Sequence, residues 1–296
     1  MHQVAERNRS FLADLFLASR PVSWINTAFP FAAAVFLVER EISLALIVGT
    51  IFFLIPYNLA MYGINDVFDY ESDIRNPRKG GAEGALIAPS RHRAVLAAAM
   101  LSTIPFVIVL VLLGDWQSWI VLAISLFAVV AYSMRGLRFK EIPFLDSVTS
   151  STHFVSPAVY GLVLAGATWT PALVCLLLAF FLWGMASHAF GAVQDVVADR
   201  AGGLASIATV LGARATVRGA IGAWFAGGFL MVFTEWPGPL GALLVIPYIA
   251  LALPFWNITD ENAEAANRGW RKFLYANYVV GFLVTMLLIW WGFTNA

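Results

Sequence analysis

Residues 51–73 read IFFLIPYNLAMYGINDVFDYESD, an almost wholly apolar run that turns acidic within a few positions. Four carboxylates, Asp66, Asp69, Glu71 and Asp73, fall in its last nine residues, where like charges repel. An apolar run of this length spans a hydrocarbon core as a helix, and charges end it at the water interface. The composition supports that reading. Of 296 residues, 60% are hydrophobic and only 12% charged, with a mean hydropathy of +0.78. A water-soluble fold of this size could not hide so much apolar surface, so the solvent for most of the chain is a lipid bilayer.

Similar runs recur near 20–38, 42–63, 94–113, 117–134, 143–166, 170–192, 214–234, 239–256 and 273–293. The expected fold is therefore all-α: nine transmembrane helices in one bundle, a single integral-membrane domain over 1–296. Residues 1–19 hold Arg7, Arg9, Glu6 and Asp14 and lack a signal-peptide core, so they read as a cytoplasmic leader with an interfacial helix. With the N-terminus inside, 17 of the 18 Lys and Arg lie on the inner side and only Arg40 lies outside. That is the positive-inside pattern, and it expects a cell-membrane protein with cytoplasmic active-site loops and an external C-terminus. The net charge of zero gives no reason to expect nucleic acid, and no obligatory protein partner is evident. Cys175, the only cysteine, excludes an intrachain disulfide.

On a helix, Asp66, Asp69 and Asp73 share one face behind Asn65, while Glu71 points elsewhere. A second pair, Asp195 and Asp199, follows the sixth run at the matching membrane depth, so the two clusters are expected to meet across the bundle. Facing carboxylates in a partly dry site repel unless cations lie between them. Oxygen donors of this kind suit Mg²⁺, which shares itself with substrate phosphates. Arg75, Arg78, Lys79, Arg135, Arg138 and Lys140 lie on the same side and complete a site for Mg²⁺ and an anionic group, most naturally a diphosphate with a hydrocarbon tail. The plainer alternative is a set of solvated loop acids balanced by Arg75, Arg78, Lys79 and Arg200. Polar residues within the runs, namely Asn26, Asn58, His153 and His188, are costly in lipid and mark candidate chamber positions. Aromatic faces at Tyr57, Tyr62, Phe154 and Phe190 could stabilise a carbocation.

At these residues the chain resembles the UbiA superfamily of intramembrane prenyltransferases. The features are NDxxDxxxD at 65–73, Tyr132-Ser133 followed by Arg138 and Lys140, and DxxxD at 195–199. The resemblance implies Mg²⁺ and prenyl diphosphate on Asn65, Asp66, Asp69, Asp73, Asp195 and Asp199. It puts Arg138, Lys140, Lys79, Arg75 and Tyr132 at the diphosphate. Where several relatives carry a lysine four residues after the tyrosine, this chain has Gly136, and the stretch after the first motif also departs from the usual form. The segments 65–86 and 188–213 are most similar to the lycopene elongase branch, which implies a C5 unit from dimethylallyl diphosphate, lycopene as acceptor, and C50 carotenoids as products. A quinone, chlorophyllide, haem or glycerol-phosphate lipid acceptor stays open on the same fold, and a transporter is the reading from another class.

Overall fold

The computed structural model describes residues 10–74 and 85–295. Among them every regular element is helical: α1 (Phe11–Ala18), α2 (Trp24–Glu39), α3 (Leu44–Leu54), α4 (Pro56–Phe68), α5 (Tyr70–Asp73), α6 (His92–Leu113), α7 (Trp116–Ser133), α8 (Leu145–Leu164), α9 (Pro171–Val193), α10 (Val196–Ala201), α11 (Ile207–Leu211), α12 (Ala213–Met231), α13 (Ile246–Ala252) and α14 (Asn267–Thr294). Short 3₁₀ turns connect several of them. The starts follow helix chemistry. Ser43 and Thr170 accept from the backbone N–H groups of Leu46 and Leu173, and Asp115 and Ser118 form a reciprocal cap at α7.

Each of the nine expected runs coincides with helix among the described residues. Seven stretches are long and apolar enough to cross a membrane, Phe11–Glu39 and Leu44–Phe68 among them. The chain is a multi-pass membrane protein, but the count of nine spans is not reached on that measure. Helices α8 and α12 are the two that fall short. α8 opens with Asp146, Ser147, Thr149, Ser150, Ser151, Thr152 and His153, and α12 carries Arg214, Arg218 and several glycines. These residues lower apolarity without shortening the helix.

The described residues form two compact units. One runs up to Arg138 and includes Ser156–Gly166; the other holds Phe139–Val155 and the residues from Ala167 on. The core of the first is aromatic, with Phe31, Phe53 and Tyr57 in contact at 5.1 Å and 5.0 Å between successive ring centroids. In the second, Trp224 stacks on Tyr248 at 5.7 Å and Trp270 on Phe273 at 4.8 Å. Tyr57 and Phe190, expected to face a carbocation, are fully buried members of these cores. Lipid tails offer no hydrophobic drive between helices, so close approach through small residues matters more. At Gly184 of α9 a Cβ would lie 2.4 Å from the Ser151 Oγ of α8, whose hydroxyl donates to the Phe181 carbonyl at 2.7 Å.

Candidate active site

In the first unit, α4 carries the acidic row to the end of the apolar run. The chain bends at Asp69 and resumes as α5, yet the Asp73 N–H still donates to the Asp69 carbonyl at 2.8 Å, so the helical phase is kept. Asp66, Asp69 and Asp73 are 1%, 4% and 8% exposed, whereas Glu71 is exposed to solvent. One face of a helix is thus lined by three buried carboxylates.

Guanidinium groups meet the charges of Asp66 and Asp69. Arg20, at the end of α1, donates from Nη2 to Asp66 Oδ1 at 2.6 Å and from Nη1 to Asp66 Oδ2 at 3.1 Å, a bidentate pair in which both residues are buried. Its Cζ lies 5.2 Å from the ring centroid of Tyr62, one turn before Asp66. Arg138 reaches Asp69 Oδ1 at 3.6 Å. Asn65 Nδ2 donates to Asp69 Oδ2 at 2.6 Å and to Ser133 Oγ at 2.8 Å, which ties the acidic motif to the Tyr-Ser pair ending α7. Arg20 and Arg138 both adopt positive φ, 50° and 43°, a region that few side-chain-bearing residues enter. Backbone strain of this kind gathers where a side chain is held for a purpose. Gly136 has φ 92°, so the turn after α7 asks for glycine at this position.

In the second unit, the Asp199 N–H donates to the Asp195 carbonyl at 2.8 Å, which stacks the two aspartates one turn apart, both half-buried. Arg200 does not serve them as a loop counter-charge. Its guanidinium donates to the Thr209 carbonyl at 2.7 Å and to Asp260 Oδ2 at 2.5 Å, and Asp260 in turn caps the Ala213 N–H at 2.7 Å. Lys140 is half-buried in the turn before α8. His188 stands with Nε2 3.7 Å from Asp146 Oδ2. Asp146 is fully buried and accepts the backbone N–H groups of Ser147 and Ile207, each at 2.7 Å. His153 is buried on α8.

The remaining expected positions are dispersed. Asn58 is fully buried and donates to Thr27 Oγ1 at 2.7 Å and to the Phe53 carbonyl at 2.8 Å, beside the break between α3 and α4. Asn26 is exposed, and Tyr132 is half-buried at the end of α7. Arg75, Arg78 and Lys79 lie outside the described residues. Three residues that the sequence reading left without a role are prominent: Arg20, Ser133 and Asp146. An Arg directly before Pro21, at the edge of an apolar run, was the available signal for Arg20.

Whether Mg²⁺ suits these residues is a question of donor type. Among the described residues no group of three or more His, Cys, Asp or Glu side chains is arranged to hold an ion by itself. Mg²⁺ rarely uses such a cage and prefers one or two carboxylates with substrate phosphates. The buried carboxylates of one helix face, with the Asn65 amide alongside, fit that preference.

Residues 27–278 match the UbiA prenyltransferase family. A Dietzia sp. (strain CQ4) protein named C(50) beta-cyclic carotenoids biosynthesis protein LbtBC is 55% identical over 280 residues, which cover 94% of this chain and 65% of that protein's length. A Corynebacterium glutamicum protein named lycopene elongase/hydratase is 52% identical over 275 residues, 93% of this chain and 96% of that protein. Among solved structures, a UbiA homolog from Archaeoglobus fulgidus bound to GPP and Mg²⁺ superposes with a TM-score of 0.64, covering 90% of this chain and 99% of that one. At 16% identity the likeness is one of fold.

Proposed function

The chain belongs to the UbiA prenyltransferase family, and from that premise we infer that it moves a five-carbon prenyl group from dimethylallyl diphosphate to lycopene, in a Mg²⁺-dependent step of C50 carotenoid synthesis. It acts as one catalytic domain over its full length, in the cell membrane, with the carboxylate ends of its helices cytoplasmic and its C-terminus outside. The row of buried carboxylates at the end of an apolar helix carries the diphosphate part of this reading. The name of the Corynebacterium relative supports lycopene as the acceptor, and that of the Dietzia relative supports C50 carotenoid synthesis.

Asn65, Asp66, Asp69 and Asp73 of the first unit would offer oxygen donors to Mg²⁺, and so would Asp195 and Asp199 of the second. Mg²⁺, when bound, would neutralise charge that builds on the departing diphosphate. Arg138 and Lys140 bind the phosphate oxygens through charge-assisted hydrogen bonds, with Tyr132, Arg75 and Lys79 alongside. The allylic C–O bond breaks, and its electron pair leaves on the diphosphate. A terminal C=C of lycopene attacks the allylic cation and forms the new C–C bond. The tertiary cation that results captures water and releases a proton, in keeping with relatives whose name couples elongase with hydratase. His188, oriented by the fixed carboxylate of Asp146, accepts that proton.

The test is expression in a lycopene-producing bacterium, followed by mass analysis of the pigments. The expected products carry one or two added C5 units, each with one water. Unchanged lycopene beside prenylation of a quinone precursor would overturn the acceptor while leaving the transferase.

A further inference from the structure

The start of the last helix carries a cationic stripe that the reaction above does not use. Arg268, Arg271, Lys272 and Tyr275 occupy positions i, i+3, i+4 and i+7 of α14, so they share one face. All four are exposed, Tyr275 to 76%. They line a groove of about 900 Å³ whose other wall is apolar apart from Asn257, with Leu251 and Phe255 from the end of α13 and the turn after it. Gly269 sets that wall against α14: a Cβ there would lie 2.7 Å from Phe255 Cε2 and 3.1 Å from the Leu251 carbonyl. No carboxylate lines the groove. Among the described residues, none of the ion pairs uses Arg268, Arg271 or Lys272.

Basic residues at the end of a span orient it in the membrane. That role requires neither a common helix face nor an apolar wall opposite. Three cations outside any described ion pair, beside greasy side chains and an exposed tyrosine, match an amphiphile whose head is anionic. Membranes supply such molecules at high local concentration, and basic pockets between spanning helices hold their head groups. The volume lies in the range of about 300–1,000 Å³ of small-molecule sites. We propose that this groove binds an anionic glycerophospholipid, with its phosphate on Arg268, Arg271 and Lys272 and an acyl chain against Leu251 and Phe255.

The experiment uses the purified full chain in neutral detergent, equilibrated with phosphatidylglycerol or phosphatidylcholine and read by native mass spectrometry. Wild type is expected to retain phosphatidylglycerol selectively. The triple variant Arg268→Gln/Arg271→Gln/Lys272→Gln should bind about 100-fold more weakly, at roughly fivefold for each basic side chain near an anionic surface. Ala265→Phe fills the groove and keeps every charge, so it should also lose retention, with melting in phosphatidylcholine as the check on folding. A charge-matched triple at exposed Arg40, Arg93 and Arg214 should retain the lipid. Equal loss in that control would make the effect one of bulk charge and overturn the proposal. So would equal retention of both lipids by wild type, or displacement of the lipid by millimolar inorganic phosphate, which would mark a site for a free anion.

Discussion

A carboxylate as deeply buried as Asp66 must have its charge balanced nearby, and Arg20 supplies two N–H donors for it. A carboxylate offers about four acceptor sites, of which Arg20 takes two. Removing one member of a buried pair leaves the other uncompensated, at a cost of about 3–5 kcal/mol. Arg20→Ala should therefore lower the melting temperature in EDTA, and Mg²⁺ should restore more of it than it adds to wild type. An unchanged melting curve would make the pair incidental. Asp66→Ala and Asp195→Ala should each cut prenyl transfer by about 100-fold or more, as expected for losing electrostatic stabilisation of a few kcal/mol. Glu71→Ala, at an exposed position, should keep near-normal activity in the same assay. The one-sided burial of Asp66, Asp69 and Asp73 was legible from their spacing alone. The partner of Asp66 was not, because 46 residues separate it from Arg20 and no periodicity links them. Asp146 was passed over for a related reason: a lone acid at the start of an apolar run looks like any interfacial charge until its two backbone donors are seen.

At the scale of elements, the apolar runs and their charged borders located the helices well. What they could not show was how one run is built from two helices. α3 ends at Leu54 and α4 begins at Pro56, which has no N–H to offer the preceding turn. Carbonyl groups at a helix end need donors from elsewhere, and in lipid no water supplies them. Asn58 does so through its amide, bonding the carbonyls of Phe53 and Leu54 as well as Thr27. A polar side chain inside an apolar run thus read as a chamber position from sequence, and the reason for it lies in the backbone. Asn58→Leu removes those donors from a buried place and should destabilise the protein by about 1–3 kcal/mol. Thermal unfolding in detergent measures this, and the diphosphate affinity of the folded fraction should stay near wild type.

For the whole molecule, charge asymmetry and hydropathy pointed to a multi-pass bundle, and the count of spans depends on how two polar helices are judged. Chelation tests the chemistry at this scale: purified protein should lose turnover in EDTA and regain it with Mg²⁺, and activity that persists in a strong chelator would refute the metal dependence. The polar opening of α8 has a further consequence, for biogenesis. Asp146 is satisfied by the Ile207 N–H and faced by His188, and Ser151 bonds the Phe181 carbonyl. Each of those partners is synthesised after α8 itself. A ribosome that has just released residues 145–164 therefore presents the insertion machinery with a segment in which Asp146 and Ser151 still lack these long-range partners. That segment should linger at the edge of the protein-conducting channel until α9 and then α11 emerge. Crosslinking of stalled nascent chains would show it, with α8 held at the channel when only α8 has left the ribosome and released into lipid once α11 has left it too.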